Sequence, residues 1–370
     1  MVFETNITKM FGIKVPIANA PMGPFLTNDL AIAVSEAGGL GVISHSGGLD
    51  QLKKSREAMD HTMDRTEFMK AMSRAMTGDY MEKSLTYVVE HTDKSFGFNV
   101  RTSRGDMDAP KLSKKLPKFI MANPKLREQV VYCVTSAGSP RMFPQSKSFQ
   151  ELREQGVTKH FHVAPALWLA DKCVASGCDG LVLTGTEGGG HQSYEKVSTL
   201  VLLQQVRQKY PDLPIMGCGG FGSGEGLASV IAMGGGGIVM GSRFIASKEA
   251  EFHENYKSII PPMKAGDTRL VTGGLGPIRL WKNKYCMSKD IVPSKEEFIA
   301  QQEALRESMP DLVAYMLPYV TALEGEMEDS AILVGQSGGI VNSIESIGDL
   351  ISKITNDAEK LIKNAYSNIK

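Results

Sequence analysis

Short runs of mostly apolar residues recur along the chain, at 15–20, 40–44, 96–100, 130–135, 160–164, 180–184, 214–217 and 237–241. Each is too short for a helix, and the eight read as strands buried on both faces. Between them lie stretches of helical periodicity, among them 28–37, 165–176, 198–209 and 223–233. Repeated strand-then-helix units predict a parallel sheet with helices outside it. Eight such units closing on themselves make a TIM (β/α)8 barrel, whose working loops follow the strands. A doubly wound open sheet is the rival. Its dinucleotide-binding form wants a glycine fingerprint in the first strand-to-helix turn, where this chain has Ala20-Pro21-Met22-Gly23. The expected class is therefore α/β, a TIM barrel with a helical insertion and a C-terminal helical extension.

Two stretches exceed the repeating unit. Residues 50–94, charged and rich in methionine, form the expected insertion, in which Met59, Met63, Met69, Met72 and Met76 recur at helical spacing. That spacing marks a packed face first and a cover over the substrate mouth second. Residues 248–370 follow the last strand, so 1–247 is read as the barrel and 248–370 as an extension on its substrate side. Ile344, Ile347, Leu350, Ile351, Ile354, Ala358, Leu361 and Ile362 predict an amphipathic helix packed on the barrel exterior.

Glycine marks where chemistry is expected. The sixth strand runs into Gly185-Thr186-Glu187-Gly188-Gly189-Gly190-His191, a loop that presents one histidine at the carboxyl end of the sheet. After the seventh strand comes Gly217-Cys218-Gly219-Gly220-Phe221-Gly222-Ser223-Gly224, and after the eighth Gly241-Ser242-Arg243-Phe244. Glycines bring main-chain N–H groups close to an anion, and a following helix adds partial positive charge. Loops seven and eight of such a barrel are the usual phosphate site. Gly219, Gly220, Gly241 and Ser242 are expected to hold a phosphate through main-chain donors, whereas Arg243 fits a structural salt bridge at least as well.

His191 can exchange a proton near neutral pH and is the candidate catalytic residue. His160 and His162 flank Phe161 and point the same way from a strand, without a carboxylate or cysteine at ligand spacing; no metal is expected. His45 follows the second strand, at the pocket mouth or in a plain loop. Cys218 reads as packing, because no histidine adjoins it to make a thiolate.

Bulk properties narrow the class. Lys plus Arg (41) equals Asp plus Glu (41) over 370 residues, so no global field recruits nucleic acid or an anionic membrane. Apolar runs fall well short of a membrane helix, and the start of the chain lacks the basic and apolar regions of a signal peptide. Cys133, Cys173, Cys178, Cys218 and Cys286 form no CxxC pair, as expected of reduced thiols in a cytoplasmic protein.

As a set, Ala20-Pro21-Met22, Gly97-Phe98-Asn99-Val100, Thr135-Ser136-Ala137-Gly138, Glu187 to His191, the two phosphate loops and Gly335-Gln336-Ser337-Gly338-Gly339 resemble the nitronate monooxygenase (2-nitropropane dioxygenase) superfamily. Flavin-type enoyl-ACP reductases and quinone reductases look like close relatives of it. The resemblance implies an FMN-dependent TIM-barrel oxidoreductase oxidising alkyl nitronates with O2. The alternative is an NAD(P)H-dependent flavin reductase of an enoyl thioester or quinone, and a homodimer is left open. A flavin-free barrel binding another phosphorylated ligand is the non-redox reading. The resemblance also implies that Ala20, Pro21 and Met22 lie against the isoalloxazine and that Asn99 bonds its polar edge. Ser136 and Gly138 would line the cofactor side, Glu187, Gly189 and Gly190 would border the flavin, and His191 would face the substrate. Where the family carries Ala-Gly-Gly-His-x-Gly, this chain reads Gly-Gly-Gly-His-Gln-Ser, which puts Ser193 in place of a glycine. Residues 62–81 are longer than in the family.

Overall fold

The computed structural model describes residues 3–45, 79–103, 108–273, 276–291, 294, 296–297, 299–300 and 317–369. The methionine stripe and most of the long 62–81 segment lie outside them. The strands in chain order are β1 (Ile17–Asn19), β2 (Gly41–Ile43), β3 (Phe96–Arg101), β4 (Val130–Ser136), β5 (Lys159–Ala164), β6 (Gly180–Thr184), β7 (Gly190–His191), β8 (Ile215–Cys218), β9 (Gly237–Met240), β10 (Thr268–Gly273) and β11 (Gly276–Trp281).

Eight of these run parallel in the order β1-β9-β8-β6-β5-β4-β3-β2. The remaining seam, between β1 and β2, is joined by a parallel bridge of Ala18 with Leu40, whose N–H donates to the Ile17 carbonyl at 2.9 Å. The Asn19 side chain extends it: Oδ1 accepts from the Val42 N–H at 2.6 Å, and Nδ2 donates to the Val42 carbonyl at 2.8 Å. One buried amide thus does the work of a strand pair where two short strands diverge. The fold is the expected TIM barrel.

Alternation along the strands divides two cores. Val42, Tyr132, Val134, Phe161, Val182, Met216 and Val239 fill the interior. The helix Asn6–Phe11 plugs its amino-terminal end, where Phe11 meets Tyr132 at 5.2 Å and Phe161 at 5.5 Å between ring centres. Phe96, Phe98 and Val100 face outward onto helices. Among the described residues, the interior is therefore filled at one end and opens at the carboxyl ends of the strands.

The expected amphipathic tail is the helix Ile347–Ser367, which buries Ile347, Leu350, Ile351, Ile354 and Ala358. It crosses the helix Gly224–Ala232 so closely that a Cβ on Gly224 would lie 2.5 Å from that of Asp357. The extension is not purely helical. β10 and β11 form an antiparallel hairpin, and β11 pairs antiparallel with β7, setting Ile278 opposite His191 and Arg279 opposite Gly190. Alternating residues in this hairpin are only half-apolar, so the helical reading of the sequence passed over it.

Candidate functional site

At the carboxyl ends of the strands lies a cavity of about 610 Å³, within the range of small-molecule and cofactor pockets. Inward-facing residues near the ends of β3, β5, β6 and β9 form its floor: Asn99, Val163, Val182 and Val239. Ala20, Pro21 and Met22 enter it from the loop after β1, held by a hydrogen bond from the Met22 N–H to Ser44 Oγ at 2.8 Å. Ser136 and Gly138 line it from the loop after β4, and Gly189, Gly190 and His191 from the loop after β6. Gly219, Gly241 and Ser242 complete the wall after β8 and β9. Glu187 and Gly220 stand outside the lining.

The glycine corner has a backbone form that only glycine adopts at little cost. Gly219 and Gly220 take φ +82° and +84°, a conformation that favours glycine. Ser242 begins a four-residue helix, and its Oγ accepts from the Gly335 N–H at 2.8 Å. Arg243 is turned away: it pairs with Glu345 at 2.7 Å and donates to the Ser343 carbonyl at 2.7 Å. Its role is to anchor the tail.

The His191 loop is braced from three sides. The Gln192 N–H donates to the Pro277 carbonyl at 2.7 Å, and the Gln336 N–H to the Glu187 carbonyl at 2.8 Å. Arg279, buried, donates from Nε to the Thr186 carbonyl at 2.6 Å and from a guanidinium nitrogen to Thr268 Oγ1 at 3.0 Å. The Glu187 carboxylate, expected to border a cofactor, instead caps the helix Thr199–Lys209, accepting from the Thr199 N–H at 3.0 Å and its Oγ1 at 3.1 Å. A carboxylate at a helix start satisfies otherwise unpaired N–H groups, and this pull takes it out of the cavity.

Asn99 commits its Nδ2 to the Val134 carbonyl (2.9 Å) and Ser136 Oγ (3.2 Å). Its Oδ1 accepts no hydrogen bond among the described residues, so a ligand N–H can use it. Burial pushes the Cys218 thiol up to about 11, which leaves it protonated at neutral pH and consistent with packing. His160 and His162 do share one side of β5, both within 2.8 Å of Thr135 Oγ1. That side is the outer one: the His160 ring meets Phe143 and Phe149, and neither histidine lines the cavity. Desolvation lowers His160 well below the usual range and His162 to about 3. His45 is buried, with Nε2 on Asp108 Oδ2 at 3.0 Å and Nδ1 accepting the Arg101 N–H at 3.0 Å. It supports the mouth without facing it.

The sequence reading missed Arg101, Trp168, Lys172 and Tyr194, all in the lining. Trp168 and Lys172 lie one turn apart on the helix Leu167–Ala175, a signal visible only once that helix is placed at the mouth. Burial raises the Tyr194 hydroxyl to about 12.

Comparison with known proteins agrees with this geometry. The sequence profile of the nitronate monooxygenase family matches residues 4–357. The chain belongs to that family, whose members are flavin-dependent oxidoreductases. It is 29% identical over 257 residues to (3aS,4S,5R,7aS)-5-hydroxy-7a-methyl-1-oxo-octahydro-1H-indene-4-carboxyl-CoA dehydrogenase of Rhodococcus jostii, a match covering 69% of this chain and 58% of that protein. A probable nitronate monooxygenase of Staphylococcus saprophyticus is 22% identical, over 98% of this chain and 99% of its own length. Among solved structures, FabK from Thermotoga maritima is 27% identical with a TM-score of 0.73, and the match covers all of both chains. No helix among the described residues is long and apolar enough to cross a membrane.

Proposed function

We propose that this chain binds FMN across the barrel mouth and oxidises alkyl nitronates with O2. One observation carries the reading: Gly219 of the glycine corner, with Gly241 and Ser242, and the His191 loop line a single cavity in a chain of the nitronate monooxygenase family. The residues fit the cofactor. Gly219, Gly220, Gly241 and Ser242 would hold its phosphate through main-chain N–H groups, and the Asn99 Oδ1 would accept from its ring edge. Ala20, Pro21 and Met22 supply an apolar surface for the ring, with Ser136, Gly138, Gly189 and Gly190 at its borders. FMN bound there would supply the two-electron oxidation chemistry, with O2 as the acceptor. His191 orients the nitronate, or takes the proton from a neutral nitroalkane at its imidazole nitrogen. Residues 1–247 would be the FMN-binding barrel, and 248–370 the part that closes its substrate side. Five free cysteines fit a cytoplasmic location.

A second reading, reduction of an enoyl thioester or quinone by NAD(P)H, is favoured by the likeness to FabK over the whole chain and by the acyl-CoA name of the Rhodococcus relative. The purified protein should be yellow and release FMN on denaturation. Anaerobic mixing then separates the readings: ethyl nitronate should bleach the flavin. Bleaching by NADH or NADPH alone would transfer the assignment to the reductase. His191→Asn should keep the flavin and slow turnover by about 10²-fold; unchanged turnover removes His191 from the chemistry.

A further inference from the structure

We propose that Gln192 determines specificity beside His191: its side-chain oxygen accepts the hydrogen of a hydroxyl group that the substrate carries close to its reacting carbon. The proposal rests on the flavin reading above for what His191 faces.

The Gln192 carboxamide is fixed in one orientation. Its Nε2 donates to the Gly188 carbonyl at 2.8 Å. A carbonyl can only accept, so the amino group must lie on that side and Oε1 on the other. The side chain is also wedged under its own loop, where a Cβ on Gly188 would lie 2.8 Å from Nε2 and 2.7 Å from Thr184 Oγ1. The main chain is held as well, by the Gln192 N–H on the Pro277 carbonyl at 2.7 Å. The amide cannot turn over without giving up its bond to Gly188.

In that orientation Oε1 lacks a donor. Gln192 is 8% exposed, and its buried Oε1 accepts no hydrogen bond among the described residues. Buried side-chain oxygens are seldom left in this state, because the water they lose is not replaced. Gln192 lines the cavity directly after His191. A ligand that fills the cavity is therefore the available source of the missing hydrogen.

The surroundings select the kind of ligand. Ser193, the next residue in the lining, accepts from the Glu195 N–H at 3.2 Å through Oγ, which leaves its own hydroxyl hydrogen to donate. A hydroxyl both gives and takes a hydrogen, and so matches an acceptor and a donor on adjacent residues. An unsubstituted alkyl chain offers Oε1 nothing. Asn99 Oδ1, the acceptor assigned to the ring edge, stands on β3, three steps from β6 in the order β6-β5-β4-β3. The two carboxamide oxygens thus serve different groups, and the one beside His191 falls to the substrate.

The test uses the yellow protein, titrated calorimetrically with 3-hydroxypropanoate and, separately, with butanoate. These carboxylates have the shapes of the nitronates of 2-nitroethanol and 1-nitropropane, and differ from each other only in a hydroxyl against a methyl. Wild type is expected to bind the hydroxy acid about tenfold more tightly. Gln192→Met, which keeps the side-chain length without the acceptor, should bind the two within twofold of each other with FMN per chain unchanged. Where Gln192→Met fails to fold, Gln192→Asn withdraws the acceptor by one methylene and should lose the preference too. Equal affinities in wild type, a preference that survives in the variant, or no binding of either acid overturns the proposal. Loss of FMN from Gln192→Met at an unchanged urea midpoint gives the acceptor to the cofactor and overturns it as well. Binding is read without turnover, so the choice between nitronate oxidation and NAD(P)H-driven reduction does not enter. Failure of the flavin reading is seen separately, as a colourless wild-type protein that cannot be reconstituted.

Discussion

Replacing Gly189 by alanine should pry the His191 loop away from the tail of the chain. A Cβ at Gly189 would lie 2.6 Å from the Gly335 nitrogen, 2.7 Å from the Val334 carbonyl carbon and 3.0 Å from its Cα. All three are main-chain atoms, so no side chain can swing aside. The shortest approach is about 0.8 Å inside the 3.4 Å at which ordinary contact begins, and one backbone must retreat by that much. Both are pinned, by Gln336 N–H to the Glu187 carbonyl and Gly335 N–H to Ser242 Oγ, each 2.8 Å. Overpacking of this kind costs about 1–3 kcal/mol, and loosening one of those hydrogen bonds adds about 1 kcal/mol. Gly189→Ala should therefore destabilise by roughly 2–4 kcal/mol. Gly190→Ala is the control. Its φ is +77° and the nearest atom is Leu333 Cδ2 at 3.5 Å, so it incurs only the left-handed strain of about 1–2 kcal/mol. Gly266→Ala meets nothing within 4 Å and should be close to neutral. Urea unfolding midpoints give the order directly, and FMN retained per chain reports the mouth. If Gly189→Ala proves no more damaging than Gly190→Ala, the steric latch between loop and tail does not exist.

Burial holds His162 near 3 and His160 in the same direction, whereas both titrate near 6.5 when unfolded. The unfolded chain then binds more protons as the pH falls below about 6.5, so stability should be level above that value and decline by roughly 1.4 kcal/mol per pH unit per histidine below it. Urea titrations between pH 7 and 5 test this, and a level profile across that window contradicts it. Ile354→Ala, at a 2% exposed position where the last helix packs on the barrel exterior, should cost about 2–5 kcal/mol in the same measurement. A cost under 1 kcal/mol would mean that this helix is not docked. Cys218, with its thiol raised to about 11, should resist iodoacetamide in the folded protein at neutral pH. Rapid alkylation there, mapped by peptide mass, would reveal a thiolate.

Much of this molecule is written in local pattern. The eight strand runs are legible because both faces of a barrel strand are covered, which forces unbroken apolar runs of a few residues. The glycine loops are legible because only glycine adopts the left-handed φ of Gly219 and Gly220 at little cost. The tail helix Ile347–Ser367 follows from one apolar stripe at a period near 3.6. Local pattern stops at the choice of partner. Alternation put His160 and His162 on one face but not on which, and the packing of helices over β5 turned that face outward. Glu187 reads as a cavity carboxylate until the start of the helix Thr199–Lys209 comes within its reach. Glu251 has no signature at all, yet its carboxylate accepts the first N–H groups of the helix Asn28–Glu36, at 2.6 Å from Asn28 and 2.8 Å from Asp29. The pairing of β11 with β7 and the meeting of Arg101 with Lys172 at one mouth are of the same kind. The chain by itself determined which segments would be strands, helices and glycine turns, because those preferences act over a few neighbouring residues. Only the closed barrel decided which side chains face the cavity, because that depends on contacts between residues far apart in the chain.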